Sequence, residues 1–144
     1  MEGFFDYFQF FPFLRVSCLK RRKELNEMRR GTLVWVHLEG IGSEQRGFRP
    51  AIIAQNNVGN KSSPTLIIVP LTQANKKNGR LPTHVYIDKK HLGERYKNSI
   101  ALTEQVRVID KKRVRRNSKK KIPDEVLREI DKALAISLGL GNFL

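Results

Sequence analysis

The segment from Gly42 to Pro50 has the residue types needed to hold a phosphate group. It contains one carboxylate, Glu44, and two guanidinium groups, Arg46 and Arg49, together with hydroxyl, amide and aromatic side chains. Arg49 directly precedes Pro50, and the residue before a proline is restricted to extended backbone conformations. A fixed guanidinium beside a carboxylate can clamp a phosphodiester through charge-assisted hydrogen bonds. A structural Arg49–Glu44 ion pair is an equally good interpretation of the same residues.

A second candidate is a run of basic residues near the C-terminal third of the chain, in which Asp110 is the only acid. Its members are Arg107, Lys111, Lys112, Arg113, Arg115, Arg116, Lys119, Lys120 and Lys121. The whole chain of 144 residues has a formal net charge of +14, so a polyanion such as RNA, DNA, an acidic protein or an anionic membrane is the expected partner. Contacts from the run to phosphates would give affinity and salt dependence without sequence readout. A solvated face or a mobile loop is the alternative.

Other kinds of chemistry have little support in the sequence. The three histidines, His37, His84 and His91, fall on different predicted elements and have no carboxylate cluster beside them, so we predict no metal site. The single cysteine, Cys18, excludes an internal disulfide. A phosphate-loop Gly-Lys-Ser/Thr motif and a glycine-flanked nucleophilic serine are absent. We therefore expect no cofactor.

The apolar residues that must position these groups have two different periods. Short apolar runs between turn residues predict strands at residues 33–38, 51–54, 66–69, 83–88, 99–102 and 105–109. This spacing is typical of a small barrel or sandwich. After Pro123, which suits the first position of a helix, apolar residues recur at helical spacing as far as Leu138. We therefore expect a mainly β fold of the α+β class that ends in one amphipathic helix.

Residues 1–27 differ in composition from the rest of the chain. They hold six of the eight phenylalanines and then a charged patch. An added amphipathic helix, a membrane-surface anchor and upstream sequence translated from a misplaced start are three interpretations, and we favour the third, with Met28 as the start. The predicted organisation is an N-terminal extension at 1–27 and one domain at 28–144. Because neither a membrane span nor a signal peptide is predicted, we expect a cytoplasmic protein.

Several blocks of residues in the predicted domain occur in the order found in a known family. The first are Gly-Ser-Glu-Gln at residues 42–45 and Gly-x-Arg-Pro-Ala-Ile-Ile at residues 47–53. Further blocks lie at residues 55–60, 63–65, 69–72, 81–85, 99–102, 104–111 and 133–140. Together they resemble the MazF/PemK family of type II toxin–antitoxin ribonucleases, in the style of the chromosomal toxins of Gram-positive bacteria. The resemblance spans about Arg29 to Leu140.

This resemblance implies a fold, an activity and partners. The implied fold is a small SH3-like β-barrel with appended helices, assembled as a homodimer. The implied activity is that of a growth-inhibiting mRNA interferase, which cleaves single-stranded mRNA at short motifs without a metal. In that reaction the ribose 2′-hydroxyl attacks the adjacent phosphate and leaves 2′,3′-cyclic phosphate and 5′-hydroxyl ends. The implied inhibitor is an acidic antitoxin that blocks the RNA groove.

The resemblance also implies roles for individual residues. The catalytic arginine and threonine of the family fall on Arg49 and Thr72, and Glu44 is the candidate base for the 2′-hydroxyl. The residues expected to bind RNA are Ser43, Gln45, Arg46, Gln105 and Arg107. Structural roles remain open for three of these residues: a threonine that ends a strand for Thr72, strand-edge solubility for Gln105, and a salt bridge within the barrel for Arg107.

Two alternative functions use the same fold. One is a toxin that inhibits gyrase and is no enzyme; that branch ends in a Trp-Gly-Ile type of sequence, whereas this chain ends in Gly-Asn-Phe-Leu at residues 141–144. The other is a decayed toxin that only binds RNA or an antitoxin. It is suggested by Thr32 and His37, which stand where the family usually has acidic residues.

Overall fold

The computed structural model describes residues 27–78 and 81–141. Residues 1–26 of the predicted N-terminal extension lie outside the described residues. The three interpretations of the extension therefore stay predictions. Met28 is already part of the packed domain, because its side chain is only 3% exposed. Within the described ranges, no helix has the length and apolar content needed to cross a bilayer.

Seven strands and three α-helices make up the described domain, and two single turns of 3₁₀ helix connect the later strands. The strands are β1 Thr32–Leu38, β2 Gly47–Ile53, β3 Thr65–Gln73, β4 His84–Ile87, β5 Ser99–Leu102, β6 Arg107–Asp110 and β7 Val114–Lys121. The helices are α1 Asn57–Ser62, α2 Lys89–Leu92 and α3 Asp124–Ser137, and the 3₁₀ turns are Thr103–Gln105 and Lys111–Arg113.

The strands form one antiparallel sheet in the order β4-β5-β3-β2-β1-β7, and β6 also pairs with β3. One edge of β3 pairs with β2. Its other edge pairs first with β6, over 65–68, and then with β5, over 71–73. The turn Thr103–Gln105 connects β5 to β6 at the point where the chain passes from one of these pairings to the other. The turn therefore lies at the edge of β3, close to the long β1–β2 loop.

Alternation along the strands creates two apolar layers. One layer joins the sheet to α3 and contains Leu33, Ile52, Val69, Leu71, Ile122, Ile130 and Ala133. The other lies on the opposite face of β1, β2 and β3 and contains Val34, Val36, Ala51, Ile53, Leu66, Ile68 and Ile109. We call them the helix-side core and the inner core. Burial of these aliphatic side chains, about 1.5–3 kcal/mol each, is the main stabilising contribution to the fold.

The predicted fold class is confirmed: the domain is mainly β and ends in an amphipathic helix. The barrel is only partly closed, because no pairing joins β6 to β7 across the described residues. One local alternative needs correction. Much of the basic run is not a loop but the strand β7, which pairs with β1.

Candidate active site

Arg49 and Thr72 lie on neighbouring strands at the end of the inner-core face. The β2–β3 ladder ends at the pair Ala51–Pro70, and Arg49 and Thr72 each lie two residues beyond it. Opposed residues of an antiparallel pair share a face of the sheet, and alternate residues of one strand point to the same face. Arg49 and Thr72 therefore both project from the face that carries Ala51 and Ile53.

The loop before β2 fixes the Arg49 guanidinium. Arg49 Nε donates a hydrogen bond of 3.0 Å to the backbone oxygen of Arg46. Within the described part of the chain its two Nη groups have no protein partner, so they are available for a ligand. The structural alternative, an ion pair with Glu44, is not formed among the described residues, because the Glu44 carboxylate turns to a backbone amide instead. The guanidinium is held but not neutralised.

The β1–β2 loop folds back on itself around Glu44. Glu44 Oε2 accepts a hydrogen bond of 2.8 Å from the amide of Ile41. A Cβ atom at Gly40 would lie 2.9 Å from Glu44 Cβ, so this close approach requires glycine. Gly42 has φ +56°, a left-handed conformation that glycine adopts without strain. The loop therefore presents the second oxygen of an exposed carboxylate at a defined position.

Gln105 connects this loop to the turn between β5 and β6. Its Oε1 accepts a hydrogen bond of 2.7 Å from the Gln45 amide, and its Nε2 donates one of 3.2 Å to the Ser43 oxygen. Both ends of one side-chain amide thus bind the backbone of the loop. We call this pair of contacts the loop clamp. Gln105 is half-buried within it and does not stand free at a strand edge.

An open groove of about 580 Å³ lies between the loop and this turn. It is lined by Ser43, Glu44, Glu104, Gln105, Val106, Arg107 and Val108. Four of the predicted site residues therefore share one cavity, whereas Arg49 and Thr72 are not among its lining residues. The two groups are joined through the loop, since Arg46 holds Arg49 and its neighbour Gln45 is held by Gln105.

Arg107 is positioned by a residue that the sequence did not single out. Its Nη1 donates a hydrogen bond of 2.8 Å to the backbone oxygen of Glu39, so the expected barrel salt bridge is replaced by a contact with a carbonyl. The Glu39 carboxylate lies 3.6 Å from Arg113 Nη2. The Arg107 guanidinium therefore keeps its positive charge in the groove, because the nearby acid belongs to another arginine.

The turn that carries Gln105 is held by further polar contacts, which the sequence did not predict. Thr103 Oγ1 donates to the Thr83 oxygen at 2.6 Å and lies 2.8 Å from the Ser137 hydroxyl of α3. His84 Nε2 is 2.7 Å from Glu104 Oε1. The only signal for them was the Pro-Thr-His block at residues 82–84. These contacts tie the groove to the helix-side core.

The remaining features of the site are the question of a metal, the position of His37 and one buried side-chain oxygen. In the described ranges, no three His, Cys, Asp or Glu side chains come together as a metal site would require. His37, on β1, is exposed. The Gln45 Oε1 atom is buried and lacks a hydrogen-bond partner among the described residues.

A small mainly β domain with positive charge beside an open groove is the architecture of a nucleic-acid-binding protein. A model of the PemK-like, MazF-like toxins of type II toxin–antitoxin systems matches residues 29–138. The chain belongs to this family. The endoribonuclease MazF of Staphylococcus epidermidis is 44% identical to it over 117 residues, which cover 81% of this chain and 95% of the relative.

Solved structures give the same result. A crystal structure of MazF from Deinococcus radiodurans superposes with a TM-score of 0.64 at 26% identity and covers 77% of this chain and 96% of that one. The MazE-MazF complex of the same organism, in its second crystal form, gives a TM-score of 0.59 at 27% identity, with 78% and 96% covered. A mycobacterial endoribonuclease with its cognate antitoxin is 21% identical and supports the fold alone.

Proposed function

We propose that this chain, an endoribonuclease toxin of the MazF type, cleaves single-stranded mRNA at short motifs by a metal-independent transesterification. The observation that supports the proposal is that Arg49 and Thr72 project from one face of the sheet, each two residues beyond the Ala51–Pro70 pair, next to a loop that presents Glu44. These three groups are a cation, a hydroxyl donor and a carboxylate base. That combination is sufficient for a reaction whose nucleophile, the ribose 2′-hydroxyl, belongs to the substrate.

The steps of the reaction assign a role to each group. Glu44 takes the proton of the 2′-hydroxyl, and the 2′-oxygen attacks the adjacent phosphorus. Arg49 and the Thr72 hydroxyl donate hydrogen bonds to the phosphate oxygens, on which negative charge increases in the transition state. The bond from phosphorus to the 5′-oxygen breaks, and this oxygen takes up a proton. The products are a 2′,3′-cyclic phosphate and a 5′-hydroxyl.

Arginine is assigned an electrostatic role here rather than that of the general acid. A guanidinium is a very weak acid, so it loses a proton reluctantly near neutral pH. The guanidinium also supplies fixed positive charge at the phosphate, which is what a metal ion supplies in other nucleases. Because the nucleophile is the 2′-hydroxyl of the substrate and the Arg49 guanidinium supplies the positive charge, the reaction needs no metal-bound hydroxide. This is the physical basis for proposing metal independence.

The groove next to this centre is the proposed RNA-binding surface. Ser43, Gln45, Arg46 and Arg107 are proposed to contact the RNA. Gln105 is proposed to act mainly through the loop clamp. The net charge of +14 supports phosphate binding that weakens with salt.

The proposed partners are inferred from the charge and from the relatives. An acidic antitoxin is complementary to this basic surface, and MazE-MazF complexes exist for the related Deinococcus protein. We also propose that the toxin is a homodimer, as the family resemblance implies. Its mRNA substrate implies that it acts in the cytoplasm.

The experiment that tests this function is cleavage of a long single-stranded RNA in excess EDTA, with the new ends mapped. We expect discrete cuts with 2′,3′-cyclic phosphate and 5′-hydroxyl ends. Intact RNA, with protein shown to be folded, would contradict the proposal. Inhibition of gyrase would then favour the non-enzymatic toxin, and RNA or antitoxin binding alone would favour a decayed toxin.

A further inference from the structure

Three aromatic rings pack together on the face of the sheet that carries the helix-side core. Trp35 stacks on Phe48, with ring centroids 4.8 Å apart and an angle of 24° between planes. Tyr96 lies 5.7 Å from Trp35, and its hydroxyl accepts a hydrogen bond of 2.7 Å from Trp35 Nε1. We call these three residues the aromatic cluster. Trp35 contacts both other members of the cluster, and these contacts hold its indole ring in one orientation.

Phe48 is the exposed member of the cluster. Its side chain is 55% exposed, although one side of the ring is covered by Trp35. A phenylalanine that stacks on a neighbour and still faces water leaves a flat π surface open to solvent. Exposure of this kind reduces the stabilisation that burial of the ring would give. The stack on Trp35 accounts for one face of the ring, and the exposed remainder of the ring is available to a ligand.

The cluster is separate from the proposed active site. Phe48 and Arg49 are consecutive in β2, and consecutive strand residues point to opposite faces. Arg49 shares the inner-core face with Ala51, whereas Phe48 shares the other face with Trp35. A ligand would have to pass around the β1–β2 loop to touch both. This path begins at the groove and ends at the aromatic cluster.

Basic side chains of β7 border the cluster. Arg116 pairs with Trp35 in the β1–β7 register and is exposed. Lys120 also lies beside it: its Nζ and the Tyr96 ring are each 3.7 Å from the position that a Cβ atom would take at Gly93. One acid, Glu94, is in the same turn. The surface thus combines an open aromatic face with two cations on the adjacent strand.

We propose that the aromatic cluster and Arg116 form a second RNA-contacting surface, which binds nucleotides that flank the cleaved bond. Stacking of a base on Phe48 extends the Trp35–Phe48 stack, and Arg116 and Lys120 bind the neighbouring phosphates. Aromatic faces beside a positively charged track are the usual means of holding single-stranded nucleic acid with little sequence preference. This inference rests on the proposed function, because it takes RNA as the ligand. The +14 charge disfavours a basic partner here.

The test measures binding separately from cleavage. Two single-stranded RNAs with 2′-fluoro riboses lack the attacking hydroxyl and remain intact: one is only a few nucleotides long, and the other is long enough to pass around the β1–β2 loop. Trp35 is the only tryptophan of the chain, so its fluorescence reports on the cluster. We expect the long RNA to change this fluorescence saturably and to bind more tightly than the short one.

Substitutions locate the contact. Phe48→Leu is expected to weaken binding of the long RNA about tenfold, with a clearly smaller loss for the short RNA. Phe48→Tyr keeps the ring and is expected to restore the affinity. Arg116→Gln is expected to lower the slope of log affinity against log salt by about one. The matched control is Tyr86→Leu, because Tyr86 is 52% exposed but lies on β4, across the sheet from β7.

Three outcomes of the binding measurements overturn the inference. The first is wild-type affinity in both Phe48→Leu and Arg116→Gln. The second is a loss of affinity in Phe48→Leu that is as large for the short RNA as for the long one. The third is unchanged Trp35 fluorescence when anisotropy shows that the protein is saturated with the long RNA. A fluorescence response to an acidic peptide but not to RNA would assign the surface to an acidic protein. If the long RNA binds as predicted but ordinary RNA is not cleaved, the proposed function fails and this surface stands. If ordinary RNA is cleaved but binding of the long RNA does not depend on Phe48, the proposed function stands and this surface fails.

Discussion

One face of the β2–β3 pair has two ends with opposite character. At one end Ala51, Ile53 and Ile68 are fully buried in the inner core. At the other end Arg49 and Thr72 are only half-buried, and Arg49 is held by a single contact with a loop carbonyl. The β2–β3 ladder ends at Ala51–Pro70, two residues before the polar pair. The apolar end therefore fixes the backbone from which the polar pair projects.

This contrast separates the stabilising end of the pair from the end proposed to carry the activity. Apolar burial at the inner core contributes most to the free energy of folding, and the polar end contributes little because its side chains remain partly in water. Substitutions at the two ends should then have separable effects. Changes at the polar end should abolish chemistry in a folded protein, and changes at the apolar end should lower stability with the chemistry intact.

The largest effect is expected at the polar end. Arg49→Ala removes the group that stabilises charge on the phosphate, so the cleavage rate should fall about a thousandfold. The melting temperature and the affinity for uncleavable RNA should change little. Single-turnover cleavage, thermal unfolding and anisotropy measure the three quantities.

The matched control for this change is Arg128→Ala, which removes an exposed arginine from α3 and should leave the cleavage rate unchanged. Thr72→Val keeps the shape of the side chain and should lower the rate about a hundredfold. Cleavage by Arg49→Ala within a few-fold of the wild-type rate would contradict the assigned site.

The apolar end gives the next largest effect. Ile53→Ala leaves a cavity at a side chain that is 0% exposed, and it should lower the free energy of unfolding by about 2–5 kcal/mol. Urea denaturation measures this loss. Below the unfolding transition the folded protein should cleave RNA at nearly the wild-type rate. Ile67→Ala, at a side chain that is 41% exposed, is the control and should cost well under half as much. Equal costs would refute the assignment of the inner core.

The loop clamp should give an intermediate loss of activity. Gln105→Leu removes both hydrogen bonds to the loop, each worth about 0.5–1.5 kcal/mol, so kcat should fall by roughly tenfold to a hundredfold. A positioning role predicts the same fold-loss at every cut site, because the loop carries Glu44 toward all of them. Sequencing of the cleaved ends measures this. Gln73→Leu, at an exposed glutamine that ends β3, is the control. A changed cleavage motif at normal kcat would instead make Gln105 a base-reading residue.

The smallest effect concerns the start of α3. A hydrogen bond of 2.7 Å from Lys121, together with the lysine charge, lowers the pKa of Asp124. A carboxyl group with a lowered pKa stabilises the fold above its ordinary pKa, and this stabilisation disappears as the pH falls through the lowered value. Asp124→Asn should therefore reduce the melting temperature slightly at neutral pH and not at strongly acidic pH. Glu125→Gln, in the same helical turn, controls for the helix dipole. A difference that persists in acid would contradict this origin.

Much of the fold could be predicted from the sequence because apolar periodicity reports burial. Leu33, Ile52 and Ile68 lie in predicted strands that the structure confirms, and α3 begins at Asp124, directly after Pro123. β7 could not be predicted in this way. It is an edge strand whose side chains are nearly all polar, and its pairing with β1 depends on backbone hydrogen bonds that leave no apolar pattern.

The site was predictable only in part. Arg49 and Thr72 were proposed through the family resemblance, and strand pairing, which is a tertiary property, places them on one face of the sheet. Gln105 was predicted to bind RNA, and the loop clamp adds a structural role that no local pattern encodes. The contacts of Glu39 and Thr103 join segments distant in the chain, so neither spacing nor composition could indicate them.

The most direct test of the proposed mechanism uses the wild-type protein and a changed substrate. Once the cut sites are mapped, an RNA is synthesised with a single 2′-deoxynucleotide on the 5′ side of one scissile bond. We predict that this bond stays intact, with or without EDTA, while the other sites are cleaved at their usual rates. Cleavage at the deoxy position would contradict attack by the 2′-hydroxyl, and with it the roles of Glu44, Arg49 and Thr72.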